Sequence, residues 1–355
     1  MDNLGRVLLS GALCALACMS IASADADSTN PRLWVARFPQ PVTSDYVSPV
    51  REVPAGFATA VVSWNAHTPG GSWLDVQLRA RIAGRWTAWY DMGRWSADYT
   101  SGFRRSVAKQ TDADGNVDTD TLHLKNVANG LQVQALLHAG PGGATPLLSL
   151  VAVTTDTAQE SSATDVAWGE DIDVPQRTQH VEESPNGLGG GGEAWCSPTS
   201  VSMVMGYWAA LLHHPEWDAD VPSSAKGTYD PVYDGCGNWP FNVAYASEHG
   251  LAGWVERLAS LNDVEPYIAR GVPVIASIKV ARGEMQGTPY ESTDGHLLVV
   301  RGFTPQGDVI VNDPAGRPGA IRRVYRRDQF THAWQHGSGG IVYIIGPPAL
   351  LQQLR

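Results

Sequence analysis

The chain has 355 residues, with 25 Lys plus Arg against 36 Asp plus Glu, so its formal net charge is −11. Hydrophobic residues make up 43% and charged residues 17%, which excludes a disordered chain and leaves enough apolar material for about two domains. The acidic balance gives no electrostatic basis for nucleic-acid binding. Phosphate-binding glycine-lysine loops, dinucleotide fingerprints and Cys-x-x-Cys pairs are absent from the sequence, so no cofactor or metal is predicted.

The first residues have the pattern of a secretory signal peptide. An apolar run over residues 7–21 precedes Ala22-Ser23-Ala24, a small-x-small cleavage pattern, so we predict a signal peptide over residues 1–24. Two alternatives stay open: an uncleaved anchor, although the run is short for a membrane span, and a lipoprotein signal ending at Cys18. We expect an exported protein, periplasmic or extracellular, that is not held in a membrane once the signal is removed.

Residues 31–155 have the sequence pattern of an all-β region. Short β-rich runs recur there, and turn signals such as Pro69-Gly70-Gly71 and Asn129-Gly130 separate them. Strands at this spacing predict an N-terminal antiparallel β-sandwich domain. The next segment, residues 156–170, is rich in Thr, Ser, Ala and Asp with little periodicity, and we interpret it as a linker.

Six of the 13 tryptophans fall within this β region: Trp34, Trp64, Trp73, Trp86, Trp89 and Trp95. Exposed rings at strand ends would form a platform for carbohydrate. Buried rings would instead form the core of the domain, since Trp buries a large apolar area. We favour the core and keep carbohydrate contact as the alternative.

The segment from Asp112 to Asp120 resembles a calcium-binding loop, because four Asp and one Asn alternate with other residues around Gly115. The glycine comes too early for an EF-hand, and the Glu that should end the loop is missing. Asp-Gly between two strands also forms a simple hairpin turn. We therefore expect a hairpin, with calcium as the alternative.

The preceding region has only the hydrophobic periodicity of strands, whereas residues 171–347 show helical as well as strand periodicity. A helix is predicted over residues 197–213, with Pro198 near its start and apolar residues around its whole circumference, as in a buried helix. Two shorter helices are predicted over residues 241–249 and 260–270. Strands then dominate, over residues 272–280, 296–303, 308–312, 321–325 and 340–345. Helices followed by an antiparallel sheet indicate an α+β fold.

Cys196 stands immediately before the first of these helices, after a glycine-rich loop over residues 186–192. The helix dipole at this position lowers the pKa of a thiol, which favours the thiolate and hence nucleophilic chemistry. Glycines allow backbone to approach a substrate closely. The alternatives are a buried structural cysteine and a disulfide between Cys196 and Cys236, which export would permit.

His296 and Asp313 are predicted to lie on neighbouring strands. If the strands form a hairpin closed between Phe303 and Asp308, His296 faces Ala315 and Asp313 is its diagonal neighbour on the same face. Diagonal pairs lie about 7–8 Å apart at the backbone, within reach of an imidazole–carboxylate hydrogen bond. His296 would then take the thiol proton, and Asp313 would orient the imidazole.

With these residues placed, the sequence resembles the bacteriocin-processing cysteine peptidases, family thirty-nine, and specifically their stand-alone exported relatives. The stretches that carry the resemblance are residues 173–179, 195–200, 237–242, 295–299 and 311–314. The resemblance covers roughly residues 171–347, and the Trp-rich β region resembles the N-terminal domain that accompanies some of these proteins. It implies a papain-like fold, in which the cysteine opens the central helix and the histidine and aspartate follow on strands.

The same resemblance implies that a glutamine upstream of the cysteine helps to hold the oxyanion. Gln179 fits this position best and Gln176 is the alternative. The membrane spans and ATPase domain of exporter-linked members are missing from this sequence, so cleavage of a double-glycine leader does not follow from the resemblance.

The first hypothesis is thus an exported cysteine peptidase that hydrolyses peptide bonds through Cys196, His296 and Asp313, with Gln179 at the oxyanion and a peptide or protein as substrate. A second is a cell-wall amidase with a similar Cys–His pair, for which a basic wall-binding surface would be expected. A third is a non-catalytic binding protein with a Trp-lined sandwich and an inert papain-like domain, which a bridged Cys196 would favour.

Overall fold

The structure is a computed structural model that describes residues 23–24, 30–181 and 188–354. Most of the predicted signal peptide, residues 1–22, therefore lies outside the described residues. Ser23 and Ala24 are described, and they form a two-residue strand that pairs with the first long strand of the chain. No helix within the described ranges is long and apolar enough to cross a membrane.

The N-terminal region consists of antiparallel strands. In chain order they are β1 (Ser23–Ala24), β2 (Leu33–Val42), β3 (Tyr46–Val47), β4 (Arg51–His67), β5 (Trp73–Ile82), β6 (Arg85–Trp86), β7 (Tyr90–Trp95), β8 (Val107–Thr111), β9 (Gly115–Thr119), β10 (Thr121–His138) and β11 (Leu147–Thr155). Burial alternates strictly along β5, where every second side chain enters the core, as the two-residue period of a strand requires.

Hydrogen bonds join these strands, among the described residues, into one sheet of eleven strands with the central order β1-β2-β11-β4-β10-β5-β6. The prediction of antiparallel strands is confirmed, but hydrogen bonding does not divide them into the two separate sheets of a sandwich. The physical reason is the length of β4 and β10, which have 17 and 18 residues. Register shifts interrupt their pairing, so that β10 bonds to β4, β5 and β9 in turn.

The C-terminal region contains helices and a second antiparallel sheet, as predicted. The helices are α1 (Cys196–Leu212), α2 (Val221–Thr228), α3 (Trp239–Glu248), α4 (Leu261–Ile268), α5 (Arg327–Ser338) and α6 (Pro348–Gln353). The strands are β12 (Ala252–Arg257), β13 (Val274–Val280), β14 (Thr293–Phe303), β15 (Val309–Asn312), β16 (Arg322–Tyr325) and β17 (Ile341–Gly346). They lie side by side in the order β12-β17-β13-β14-β15-β16.

The expected separation of helices from strands is only approximate. Strand β12 lies between α3 and α4 in the chain, and α5 lies between two strands. Local sequence signals account for the ends of α4: Ser260 caps it in a capping box with Asp263, and Gly271 follows with a positive φ. Most residues of α1 are buried, as its apolar circumference predicted.

The two regions share one hydrophobic core. Phe241 on α3 is fully buried, and its ring contacts Trp64 and Trp95 of the N-terminal sheet edge-on, with centroid distances of 6.2 and 5.3 Å. Edge-to-face aromatic pairs add to the free energy gained by burial. The three buried rings therefore tie α3 directly to β4 and β7.

Buried polar groups also cross this interface. The guanidinium of Arg104, in the N-terminal region, donates to the Gly227 carbonyl at 2.8 Å and lies over the Trp95 ring. Burial lowers the pKa of Arg104 to about 10, with nearby carboxylates opposing that shift. Glu248, at the end of α3, accepts hydrogen bonds from Trp95 and Thr68. Separating the regions would exchange these hydrogen bonds for bonds to water, at a net cost of about 0.5–1.5 kcal/mol each.

We expect Phe241→Ala to lower the free energy of unfolding by about 3–5 kcal/mol, since it empties a site filled by a large buried ring. Because the ring belongs to a core shared by both regions, calorimetry should show one transition shifted to lower temperature. Val127→Ala is the matched control, because Val127 is exposed and its loss should change stability by about 0.5 kcal/mol or less. Two transitions, with only one shifted, would contradict a shared core.

Candidate active site

A cavity of about 1170 Å³ opens beside the start of α1. Cys196, at the first position of α1, and His296, near the start of β14, both line it. The glycine-rich loop before α1 and the hairpin between β9 and β10 contribute further lining residues. We call this cavity the cleft.

Two hydrogen bonds fix α1 against the second sheet. Ser200 Oγ donates to the carbonyl of Leu297 on β14 at 3.1 Å, and the Ser197 and Tyr343 hydroxyls lie 3.1 Å apart between α1 and β17. Leu297 is the neighbour of His296 in sequence. The first turn of α1 is therefore held next to the strand that carries His296, which brings Cys196 and His296 together as predicted.

Cys196 is half-buried and its thiol is free. Burial alone would raise the pKa of this thiol, but hydrogen bonds from His296 and from the backbone N–H groups of Leu297 and Ser197 outweigh it, so the pKa is lowered. These donors stabilise the negative charge of a thiolate. The position at the helix N-terminus acts in the same direction.

Cys236 has the opposite environment. It is buried, its thiol is free, and its Sγ lies 3.4 Å from the carbonyl oxygen of Ala225. Burial raises the pKa of Cys236 to about 12, so this thiol stays protonated at neutral pH. In this structure no disulfide joins Cys196 to Cys236, so nothing here supports that alternative.

His296 and Asp313 are hydrogen-bonded. His296 Nε2 lies 2.8 Å from Asp313 Oδ1, and both side chains are buried. Burial opposes ionisation of both groups, but the attraction between them prevails: it raises the pKa of His296 to about 10 and lowers the pKa of Asp313. The pair is therefore an imidazolium next to a carboxylate across the neutral pH range, with Nδ1 left as the ring nitrogen for the thiol.

The hairpin that carries this pair closes one residue later than predicted. Phe303 pairs with Val309, whereas the sequence analysis placed Asp308 opposite it. A one-residue bulge at Arg301 then restores the expected register, so that Val299 pairs with Asn312 near the site. The predicted diagonal contact thus forms, although the turn was misplaced, because a bulge inserts one unpaired residue into one strand.

Asp313 has further partners that the sequence analysis missed. Tyr325 Oη donates to Asp313 Oδ2 at 2.7 Å, and the backbone N–H of Ala315 donates to Oδ1 at 3.0 Å. The hydroxyl of Tyr290 lies 3.4 Å from Oδ2, and its ring contacts His296 edge-on. Tyr325 lies on the next strand, β16, and a lone tyrosine in a strand carries no sequence signal of such a role.

Gln179 lines the cleft and is only 3% exposed, whereas Gln176 is exposed and is not among the lining residues. Gln179 Nε2 donates to the carbonyl of Glu193 at 2.8 Å, which leaves its second N–H for another acceptor. The structure therefore places Gln179, the preferred residue, beside Cys196 in the cleft and leaves Gln176 outside.

Glycines in the loop over residues 188–194 permit a close approach to Gln179. Gly189, Gly190 and Gly191 have positive φ, and a Cβ on Gly192 would lie 2.5 Å from the carbonyl oxygen of Gln179. Trp195 Nε1 donates to the Leu188 carbonyl at 2.7 Å and closes this loop. Residues 186–187, the start of the predicted glycine-rich loop, lie outside the described residues.

The suspected calcium loop forms a hairpin between β8 and β9. Asp112 accepts hydrogen bonds from Tyr90 and from the backbone of the turn, and Asp114 pairs with Arg85. Within the part of the chain that the structure describes, no three or more His, Cys, Asp or Glu side chains are grouped so as to hold a metal ion. The carboxylates of Asp112 and Asp114 thus stabilise the hairpin itself.

The six tryptophans of the N-terminal sheet are buried or half-buried. Trp34, Trp64 and Trp95 lie in the core, as the preferred interpretation expected. The half-buried rings have protein partners: Trp73 stacks with Phe103 and with His138, and Arg79 lies over both Trp86 and Trp89. Carbohydrate contact by these rings stays an untested prediction.

The site is thus a thiol at a helix N-terminus next to a buried histidine–carboxylate pair, an arrangement suited to nucleophilic hydrolysis. Comparisons with known proteins agree with the predicted resemblance. Residues 26–156 match the Peptidase C39 N-terminal domain, and residues 171–341 match the Peptidase_C39 like family. The chain is therefore similar to C39-like peptidases in its C-terminal region and to their N-terminal domain before it.

One solved structure similar to the chain comes from Bacillus anthracis and is described as a candidate C39-like peptidase. Its sequence is 19% identical, the match covers 50% of this chain and 98% of that one, and the TM-score is 0.32. None of the curated proteins compared with the chain matches it.

Proposed function

We propose that the protein is a cysteine peptidase of papain-like architecture in which Cys196 is the nucleophile, His296 the proton carrier and Asp313 the residue that orients the imidazole. One observation carries the proposal: Cys196 at the start of α1 and His296 line the same cleft, and His296 is hydrogen-bonded to Asp313. The similarity of residues 171–341 to C39-like peptidases supports a peptide or protein as substrate.

The reaction begins from the thiolate–imidazolium pair. The Cys196 thiolate attacks the carbonyl carbon of the scissile peptide bond, and the carbonyl oxygen becomes an oxyanion. When this intermediate collapses, the C–N bond breaks, and His296 gives its proton to the departing amine, which leaves an acyl-enzyme thioester. Neutral His296 then removes a proton from water. The resulting hydroxide displaces Cys196 and releases the carboxylic acid.

In this proposal Gln179 and the backbone N–H of Cys196 hold the oxyanion. Gln179 Nε2 has a second N–H besides the one that it donates to Glu193, and the first N–H groups of a helix have no partner within the helix. The backbone N–H of Cys196 belongs to this first turn. Two donors fixed before the reaction stabilise the developing negative charge at no cost in reorganisation.

Alkylation by iodoacetamide tests the nucleophile. We expect Cys196 to react at pH 6, where an ordinary thiol with a pKa of about 8.5 is mostly protonated, because His296 stabilises the thiolate. Intact-mass spectrometry without reductant should show one adduct, with Cys236 unmodified as the internal control because it is buried. The adduct should be lost in Cys196→Ser. Labelling that follows the pH dependence of a free thiol would contradict the proposed pair, and a mass lighter by two hydrogens would indicate a disulfide.

The amidase alternative differs only in substrate, and no observation on the cleft favours it. It predicts release of stem peptides from peptidoglycan, which a peptidase with the proposed role would not produce. The binding-protein alternative predicts an unreactive Cys196. A protein whose Cys196 is not labelled and that hydrolyses no peptide in a library screen would favour that alternative.

We also propose export, on the basis of the sequence pattern over residues 1–24. Cleavage after Ala24 would remove the two residues of β1, which lies at the edge of the sheet and pairs only with β2 among the described strands. The mass of the protein recovered from periplasm and medium tests both the cleavage site and the compartment. Lipid at Cys18 would overturn cleavage after Ala24, and a protein that retains residues 1–24 and is absent from periplasm and medium would overturn export.

A further inference from the structure

The tip of the β9–β10 hairpin reaches the cleft from the N-terminal region. Asp118 pairs with Thr121 across the turn, and the backbone N–H of Asp120 donates to the Asp118 carbonyl at 2.7 Å. Thr119 takes a φ of 55°, the left-handed conformation that a tight turn needs. Residues 118–121 all line the cleft, so the N-terminal region forms part of its wall.

Asp120 anchors this tip to the C-terminal region. Its side chain is buried, and its Oδ2 accepts the backbone N–H of Trp239 at 2.9 Å. Trp239 is the first residue of α3, where a carboxylate also interacts favourably with the helix dipole. The anchor fixes the turn, while the neighbouring Asp118 side chain remains exposed on the cleft side.

The described lining of the cleft has more carboxylates than cations. The carboxylates are those of Asp118, Asp120, Glu193, Asp234 and Asp294. Arg257 is the one arginine or lysine among the described lining residues, and its guanidinium donates to the carbonyls of Ser338 and Gly339. The proton on His296 is balanced by the Cys196 thiolate. The cleft therefore carries a net negative charge.

Asp118 differs from two of the other carboxylates in forming no ion pair with a basic side chain. Asp294 lies 3.0 Å from Lys279, and Glu193 lies 3.1 Å from His180. Across the described part of the chain, no Arg, Lys or His side chain forms an ion pair with Asp118. Its charge is thus available to a ligand that enters the cleft.

A second observation concerns a buried polar group in the wall of the cleft. Gln179 is 97% buried, lines the cleft, and has an Oε1 that accepts no hydrogen bond from any described residue. A buried amide oxygen without a donor costs free energy, which a ligand N–H in the cleft would recover. A peptide backbone supplies such a donor.

We propose that the tip of the β9–β10 hairpin is a specificity-determining wall of the cleft, and that Asp118 selects peptides carrying a Lys or Arg side chain. This inference rests on the proposed peptidase function for its substrate class. The negative charge of Asp118 attracts the basic side chain, and the anchor through Asp120 holds the carboxylate in place. The N-terminal region thereby takes part in substrate choice.

Peptide cleavage gives the first test. A positional library, in which each position near the scissile bond is Lys, Gln or Glu in turn, should show a preference for Lys at one position. Asp118→Asn should lower kcat/KM for the Lys peptide about two- to fivefold, the range for an exposed ion pair, and leave the Gln peptide unchanged. Asp165→Asn is the matched control, because this exposed carboxylate lies in the segment after β11 and does not line the cleft.

Charged thiol reagents give a second test that needs no peptidase activity. Cys196 is treated separately with two methanethiosulfonates, the cationic trimethylammonium-ethyl reagent and the anionic sulfonatoethyl reagent. The quantity measured is the rate with the cationic reagent divided by the rate with the anionic reagent. Asp118→Asn should lower this ratio about two- to fivefold, as for the Lys peptide. In 0.5 M salt the ratios of the wild type and of Asp118→Asn should be closer together, because salt screens charges more than a few ångströms apart. Asp165→Asn should leave the ratio unchanged.

Together, the peptide test and the reagent test distinguish the proposed peptidase function from the proposed role of Asp118. Wild-type protein that cleaves no peptide but shows the expected reagent ratio would overturn the peptidase function and retain the charge selection at the cleft. Wild-type protein that cleaves Lys, Gln and Glu peptides equally, with a ratio unaffected by Asp118→Asn, would overturn the role of Asp118 and leave the peptidase function intact.

Discussion

Replacement of Cys196 by Ser is expected to abolish peptide hydrolysis, with a fall in kcat of about 10⁴-fold or more, as found when a nucleophile that acts in a unit with its base is removed. The hydroxyl is a far weaker nucleophile near neutral pH, because the pKa of an alcohol lies well above that of a thiol. The negative charge of Asp313 also keeps His296 protonated, so the imidazole cannot act as a base for the hydroxyl. Folding should be retained, since Ser differs from Cys by one atom in a half-buried position.

Cys236→Ala is the sulfur-matched control for this variant. It removes the other thiol of the described chain, which is buried and protonated, and it should keep hydrolysis and the iodoacetamide adduct. Melting temperatures measured for both variants separate loss of chemistry from loss of folding. Full activity in Cys196→Ser would exclude Cys196 as the nucleophile.

Asp313→Asn is expected to lower kcat between about 10²- and 10⁴-fold, the upper figure being the loss seen when the orienting aspartate of a Ser-His-Asp triad is replaced. The amide keeps the size of the carboxylate but removes the negative charge that raises the pKa of His296. The imidazolium should therefore lose its proton at lower pH, and the thiolate should lose part of its stabilisation.

The pH profile distinguishes this role from a structural one. In the wild type, the thiolate–imidazolium pair is lost as pH falls below the lowered pKa of Cys196 or rises through the pKa of His296 near 10. In Asp313→Asn the basic limb of the kcat/KM profile should move to lower pH. Tyr325→Phe is the control, because it removes one hydrogen bond to Asp313 and leaves the charge. An unchanged profile with a low rate would assign Asp313 to folding alone.

The chemistry of the site was predictable from sequence because its signals are local. Cys196 precedes a helix with a broad apolar surface, and His296 and Asp313 flank a short turn that brings two strands together. The prediction of their contact tolerated a misplaced turn, since the bulge at Arg301 restored the register near the site. Such a bulge leaves no mark in the residue pattern, so the hairpin closure was wrong by one residue.

The features that sequence analysis missed all depend on long-range packing. Tyr325 reaches Asp313 only because β16 lies beside β15, and Asp118 reaches the cleft only because the N-terminal sheet packs against α3. The single eleven-stranded network among the described residues also escaped prediction. Local periodicity shows where strands begin and end, but the choice of partners along β4 and β10 depends on the whole sheet.

The buried contacts between Phe241, Trp64 and Trp95 have a consequence for how this chain responds to proteases. A cut in the exposed parts of residues 156–170 would break the covalent connection, yet the two fragments would remain associated through their common core and through Arg104 and Glu248. The N-terminal region therefore cannot behave as a removable propeptide. A nicked molecule would migrate as two bands under denaturing conditions and as a single particle in native buffer.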